Sequence, residues 1–198
     1  MATNTIEIIK EIKDYAKKEN VPIMLDKGME FLIKFIVKNK INTVLEIGTA
    51  IGYSAIMMAL ANPNLKVVSI EKDEIRYLEA IKNIKKLKLE DRITLVFHDA
   101  LDFTINDKFD LVFIDAAKGK NIDFFNKFSK NLNKEGYIIT DNINFHGFIE
   151  MSEDSIKSKN LRSLVRKIKE YIEFLENNEE FVTKFHEVGD GLSISKRS

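Results

Sequence analysis

The chain has 198 residues, 44% of them hydrophobic and 31% charged, a globular balance with length for one well-filled domain and too little for two. With no cysteine, disulfides, zinc–cysteine sites, iron–sulfur clusters and thiol nucleophiles are excluded. Thirty-one lysines and arginines balance 31 aspartates and glutamates, so any attraction to nucleic acid must be local.

From Met1 to Asn20 the chain is charged and amphipathic without an apolar h-region, and no apolar run approaches the ~20 residues of a membrane span. The expectation is a cytoplasmic protein with no membrane contact. Helical spacing of Ile8, Ile9, Ile12, Tyr15 and Ala16 predicts a helix over 6–18, and a second follows over 26–38, with an extended stretch from Asn20 to Met24 between them. Short β-branched runs then alternate with helical segments. Strands are predicted over 43–47, 66–70, 93–97, 110–114 and 136–140, and helices over 53–61, 74–87 and 122–132. Strands apolar almost throughout, each followed by a helix, imply a parallel sheet buried on both faces. A long helix over 161–175 follows, then strands over 181–188 and 192–196 around Gly189-Asp190-Gly191, a hairpin that closes the sheet with antiparallel strands. The predicted fold is α/β and Rossmann-like: a seven-stranded, mostly parallel sheet with helices on both faces. One domain spans 1–198, with N-terminal helices over 1–40 and the core over 41–198. Ligands are expected at the carboxyl ends of the parallel strands.

The first strand ends in Glu46-Ile-Gly48-Thr-Ala-Ile-Gly52-Tyr-Ser54. Gly48 permits a sharp turn and close approach of a ligand, and Gly52 opens a helix whose first N–H groups are free. The second strand ends in Glu71, a carboxylate able to accept both hydroxyls of a ribose. The third ends in His98-Asp99-Ala100, placed to bracket an adenine ring. Singly, these are ordinary turn glycines and a solvated acid. Together, at three successive strand ends, they indicate a nucleoside site. A dinucleotide fold wants G-x-G-x-x-G around a pyrophosphate. Here the spacing is G-x-x-x-G behind an acid, Glu46, which would repel a pyrophosphate but suits an ammonium and a sulfonium. The charge logic favours S-adenosylmethionine.

The fourth strand ends in Asp115-Ala-Ala-Lys118 and the fifth in Asp141-Asn142. Two carboxylates and an amide carbonyl are hard oxygen donors, too few to enclose a metal and therefore matched to Mg²⁺ with positions left for substrate. Such an ion lowers the pKa of a bound hydroxyl, and Lys118 is placed to take its proton if the nearby cation depresses its own pKa. Taken separately, a strand-end aspartate is as well a helix cap, Asp-Asn a turn and a lone lysine a solvated side chain.

These segments, with Leu45 before Glu46, Ile70 before Glu71, Phe113-Ile114 before Asp115 and Ile139-Thr140 before Asp141, resemble the metal-dependent O-methyltransferases that include the catechol and caffeoyl-CoA enzymes. The likeness runs from about Val21 to Lys196. It implies metal ligands at Asp115, Asp141 and Asn142 and a general base at Lys118. The cofactor contacts it implies are Met24, Glu46, Gly48, Ser54, Glu71, Asp99, Ala100 and Asp115. It further implies a homodimer, for which the amphipathic N-terminal helices could supply the interface. Within that family, Val21-Pro-Ile-Met24, Asp115-Ala-Ala-Lys-Gly119 and the ending from Val188 to Lys196 are most similar to the bacterial tRNA 5-hydroxyuridine methyltransferases, although the region before the first helix is shorter. In 5-hydroxyuridine the hydroxyl adjoins a carbonyl, so both oxygens can chelate one metal as a catechol does, and the metal triad does not decide between the two acceptors.

Between Lys157 and Lys169 stand six basic residues and no acidic one: Lys157, Lys159, Arg162, Arg166, Lys167 and Lys169. Such a strip beside a cleft suits a tRNA backbone. It also reads as a solvated helix face balanced by the acids from Glu170 to Glu180. Phe145 and His146 are candidates to flank a flat acceptor base. His98 and His186 read as structural, and Phe124, Phe125 and Phe128 as a core face.

Overall fold

A computed structural model describes residues 3–144, 147, 149 and 156–198. Two amphipathic helices, α1 (Thr3–Lys18) and α2 (Asp26–Lys38), precede the alternating core. That core runs β1 (Thr43–Ile47), α3 (Tyr53–Ala61), β2 (Lys66–Glu71), α4 (Glu74–Lys86), β3 (Ile93–Phe97) and β4 (Phe109–Ile114). It continues through a 3₁₀ turn over Lys118–Lys120 into α5 (Asn121–Phe128), β5 (Leu132–Asp141), α6 (Lys159–Glu176), β6 (Phe181–His186) and β7 (Leu192–Arg197). The strands form one seven-stranded sheet in the order β3-β2-β1-β4-β5-β7-β6. β1 to β5 are mutually parallel, and β7 is antiparallel to both β5 and β6.

Alternation along the buried strands splits the core into two layers. Val44, Leu111, Phe113 and Ile139 face α1–α4, while Leu45, Ile47, Val112 and Ile114 face α5 and α6. Each such aliphatic side chain contributes about 1.5–3 kcal/mol when fully withdrawn from water. In α1 the inward residues are Ile8, Ile12 and Ala16, and in α2 Met29, Leu32 and Ile36. The inner apolar faces of both helices are therefore packed inside the chain, while Ile6 and Val37 stay exposed. No helix of the described residues is long and apolar enough to cross a membrane.

The strand expected over 181–188 ends at His186, and a larger correction falls before β5. The helix expected over 122–132 ends at Phe128, a 3₁₀ turn covers Ser129–Asn131, and Leu132 already pairs with Phe109 in the sheet. The next β4 partner of β5 is Leu111 with Tyr137, so residues 133–136 form an irregularity in the ladder that hid the strand's true start.

The strand order reverses between β1 and β4, since β1 leads outward to β2 and β3 before the chain returns to β4. Open α/β sheets bind ligands at such a switch point, beyond the carboxyl ends of the strands. The hairpin reaches the same end: Asp141 pairs with Leu192, so the β6–β7 turn stands beside the residues that follow β5.

Candidate active site

At the switch point the β1 and β4 ends are in contact through backbone. Gly48 has φ 99°, and a Cβ on it would lie 2.3 Å from the Asp115 carbonyl oxygen, so no side chain fits there. Its N–H donates to the Ile70 carbonyl at 3.0 Å, and the Asp115 N–H donates to Ile47 at 2.9 Å. A cavity of about 720 Å³ opens above this turn. Gly48, Glu71, Asp99, Ala100, Asp115, Lys118 and Asn142 all line it, which brings seven of the residues singled out in the sequence to one place.

On the β1–β3 side, backbone donors hold the carboxylates. Glu71 Oε2 accepts from Ala50 N at 2.7 Å, and Oε1 accepts from the N–H groups of Lys72 and Asp73 at 2.9 and 2.8 Å. Asp99 accepts from Leu101 N and from Lys72 Nζ, and these bonds hold its carboxyl below the usual carboxylate range. Glu46, Ser54 and Met24 do not line this cavity. Glu46 is completely buried beneath the Gly48 turn, where the hydroxyls of Ser54 and Ser69 donate to its two oxygens. Burial pushes its pKa up to about 7 against those two bonds, with the charges of Asp115 and Glu71 adding to the rise. Met24 borders a neighbouring cavity of about 620 Å³, walled off by Ile23 and Leu25, which face both spaces.

On the β4–β5 side, the arrangement is different. Lys118 Nζ donates to Asp115 Oδ1 at 2.7 Å, with both side chains largely buried. Asp141, 3% exposed, stands behind them, and its pKa is pushed up to about 7 by burial and then by the Asp115 charge, which Lys118 offsets only in part. Asn142 occupies the left-handed region at φ 63° and turns its amide nitrogen toward Asp141 Oδ2 at 2.9 Å. Two carboxylates therefore share a buried space with one ammonium, a deficit of positive charge that fits a divalent cation. The amide would have to turn its oxygen inward to join such a site. Among the described residues no three histidine, aspartate or glutamate side chains converge as a metal cage, so the candidate set is two carboxylates and an amide.

The chain matches the O-methyltransferase family model over residues 1–198. It belongs to the O-methyltransferase family. An Arabidopsis thaliana protein provisionally named a caffeoyl-CoA O-methyltransferase is 28% identical over 204 residues, covering 96% of this chain and 86% of that one. The catechol O-methyltransferase of Mycobacterium tuberculosis is 31% identical over 147 residues, 72% of this chain and 66% of that one. Among solved structures, a Staphylococcus aureus protein provisionally described as a caffeoyl-CoA O-methyltransferase superposes with a TM-score of 0.91 at 33% identity, covering 96% of this chain and 92% of that one.

In this O-methyltransferase several cavity residues carried no sequence signal of their own. Asp190 lines the cleft from the β6–β7 turn and raises the Asp141 pKa. The turn is locked in place: Asn144 N donates to Asp190 O at 2.8 Å, and a Cβ on Gly191 would come within 2.8 Å of Asn144. An acid between two glycines, on a hairpin whose register returns to the β5 end, was the available clue. Lys72, Arg76 and Lys120 also reach the cavity. His98, expected to be structural, is exposed and lines it, whereas His186 packs against Phe31 with ring centres 4.9 Å apart, as a structural residue should. Phe125 and Phe128 are core, and Phe124 is both core and cavity wall. Phe145 and His146 lie outside the described residues.

In the basic strip, Arg162 donates to the Ile156 carbonyl and Arg166 pairs with Glu170 at 3.6 Å. Tyr171 fixes the helix from within: its hydroxyl lies 2.7 Å from Thr140 Oγ1, one residue before Asp141.

Proposed function

We propose that this protein transfers the methyl group of S-adenosylmethionine to the hydroxyl of 5-hydroxyuridine at the wobble position of tRNA, giving 5-methoxyuridine. S-adenosylmethionine supplies an electrophilic methyl, and a cleft with Glu71 and Asp99 beside buried Glu46 suits a ribose and a cationic amino-acid sulfonium. A divalent cation at Asp115, Asp141 and Asn142, Mg²⁺ by donor chemistry, would supply Lewis acidity to a chelating pair of acceptor oxygens. The chain's own residues do the rest. Gly48 keeps the floor clear for the cofactor. Lys118, whose ammonium pairs with Asp115, would have to act as the neutral amine to take the hydroxyl proton at Nζ; the deprotonated oxygen then attacks the methyl in line as the sulfur–methyl bond breaks and S-adenosylhomocysteine leaves. Asp190, on its fixed turn, offers a carboxylate to a donor group of the acceptor.

The observation that carries the RNA reading is that α6, which bears the basic strip, rests on the Lys118–Lys120 turn of the active site. Lys167 crosses Gly119, with its Cδ 3.1 Å from the position a Cβ would take. Each phosphate neutralised by such a strip adds affinity that salt removes. A second reading, a small catechol or hydroxycinnamoyl acceptor, is favoured by the names of the relatives. Incubation with labelled S-adenosylmethionine, Mg²⁺, undermodified tRNA and a catechol panel separates the two. Label in 5-methoxyuridine supports the first, and label confined to small phenols replaces it with the second.

A further inference from the structure

Three lysines gather at the turn after β4, and they are not equivalent. Lys118 gives its ammonium to Asp115 at 2.7 Å inside the cleft. Lys120, which also lines the cleft, pairs with Asp123 at 3.1 Å, both about half exposed. Lys167 comes from α6 and lies along Gly119 between them, its Nζ 3.5 Å from where a Cβ would be. It is exposed and has no ion-pair or hydrogen-bond partner among the described residues. Nor can the helix that carries it drift, because Val165, Ile168 and Tyr171 are completely buried and Tyr171 is bonded to Thr140.

We propose that Lys167 binds a backbone phosphate of the acceptor RNA next to the nucleotide being methylated, with Lys120 as the second cation at that edge. The inference rests on the RNA reading above and gives that substrate a contact point. An ammonium whose stem is packed along a glycine has fewer rotamers to lose than one standing free in water, so less side-chain entropy is lost when an anion arrives. It is a point charge without a carboxylate partner beside the turn whose Lys118 and Lys120 line the cleft, which is the chemistry that takes up a phosphodiester oxygen. A free catechol has no anion to place there; an acyl-CoA ester carries phosphates of the same chemistry, and the measured binding of tRNA separates the two. A Cβ at position 119 would crowd the lysine's stem at 3.1 Å, so glycine there leaves it room to lie this close to the turn that holds Lys118.

The test is Lys167→Met, which keeps an apolar stem over Gly119 and removes the charge, with Lys167→Arg as the charge-retaining partner. Binding of undermodified tRNA and the methylation kinetics are measured across a salt series. Lys167→Met is expected to raise Kd and KM for tRNA roughly five- to ten-fold at low salt and to reduce the salt slope by about 0.7, the value of one phosphate on a single strand. kcat at saturating tRNA should change by less than about two-fold, and Lys167→Arg should restore most of the affinity. An unchanged Kd and slope would overturn the inference. So would a fall in kcat at saturation with Kd unchanged, since that is the mark of a residue that merely supports the Lys118 turn. If the wild-type protein neither binds nor methylates tRNA, the RNA reading itself fails, a result distinct from either of these.

Discussion

The two halves of the cleft are built on opposite electrostatic plans. On the β1–β3 side, Glu71 is held by three backbone N–H groups and Asp99 by one more and by Lys72, so the acids that face the cavity have partners before any ligand arrives. On the β4–β5 side, Asp115 and Asp141 confront each other with Lys118 as the bonded cation, and Asp141 holds its proton up to about pH 7. One half is preorganised by its own chain, while the other is short of positive charge. The difference marks the β4–β5 half as the one that a bound cation would complete. It also separates what a mutation does to folding from what it does to chemistry.

The sharpest way to break the preorganised half is Gly48→Ala. A Cβ 2.3 Å from the Asp115 carbonyl, at φ 99°, forces the β1 and β4 ends apart. The expected cost is about 3 kcal/mol or more of stability, with no measurable cofactor binding, read by denaturant unfolding and by calorimetry with S-adenosylhomocysteine. Next comes the charge-deficient half. Asp141→Asn should lower methyl transfer roughly 10²- to 10³-fold while leaving the metal-free protein at least as stable at pH 8. Its folded pKa is raised, so the native state binds more protons than the unfolded chain between about pH 4 and 7. That contribution is full below the unfolded pKa and is lost as pH rises through the folded one, and the substitution removes the loss.

The smallest effect sharpens the comparison by its pH dependence. Glu46 is acidic but belongs to the interior, and its pKa is likewise raised to about 7 by burial. Glu46→Gln should therefore raise Tm by roughly 3–6 °C at pH 8 and leave it nearly unchanged at about pH 4, below the unfolded carboxyl's 4.5, where both states largely hold the proton. An equal shift at both values would place the ionised carboxylate in a better solvated environment than the one described.

Much of this was legible in the sequence because buried parallel strands write themselves as unbroken apolar runs. The runs at 43–47 and 93–97 match β1 and β3 residue for residue. The strand-end residues followed from strand order alone, which brings Gly48, Glu71, Asp99, Asp115 and Asn142 to one rim. What was not legible depended on register and on depth. The start of β5 was hidden by residues 133–136, which break the ladder and end in a glycine. That Glu46 and Ser54 lie under the turn and not in the cavity depends on which side of β1 each side chain leaves, and on two serine hydroxyls to satisfy the acid. Asp190 belongs to the site through a hairpin register, Asp141 with Leu192, that no local pattern encodes.

The direct measurement is methyl transfer by the purified protein after exhaustive chelation, followed by titration with Mg²⁺. If the β4–β5 half is completed by a cation, activity falls to background without it and returns with added Mg²⁺, and the same titration raises the Tm of the wild type but not that of Asp141→Asn. Undiminished transfer by the chelated protein would show that Asp115, Asp141 and Asn142 do their work without a metal, and would contradict the account.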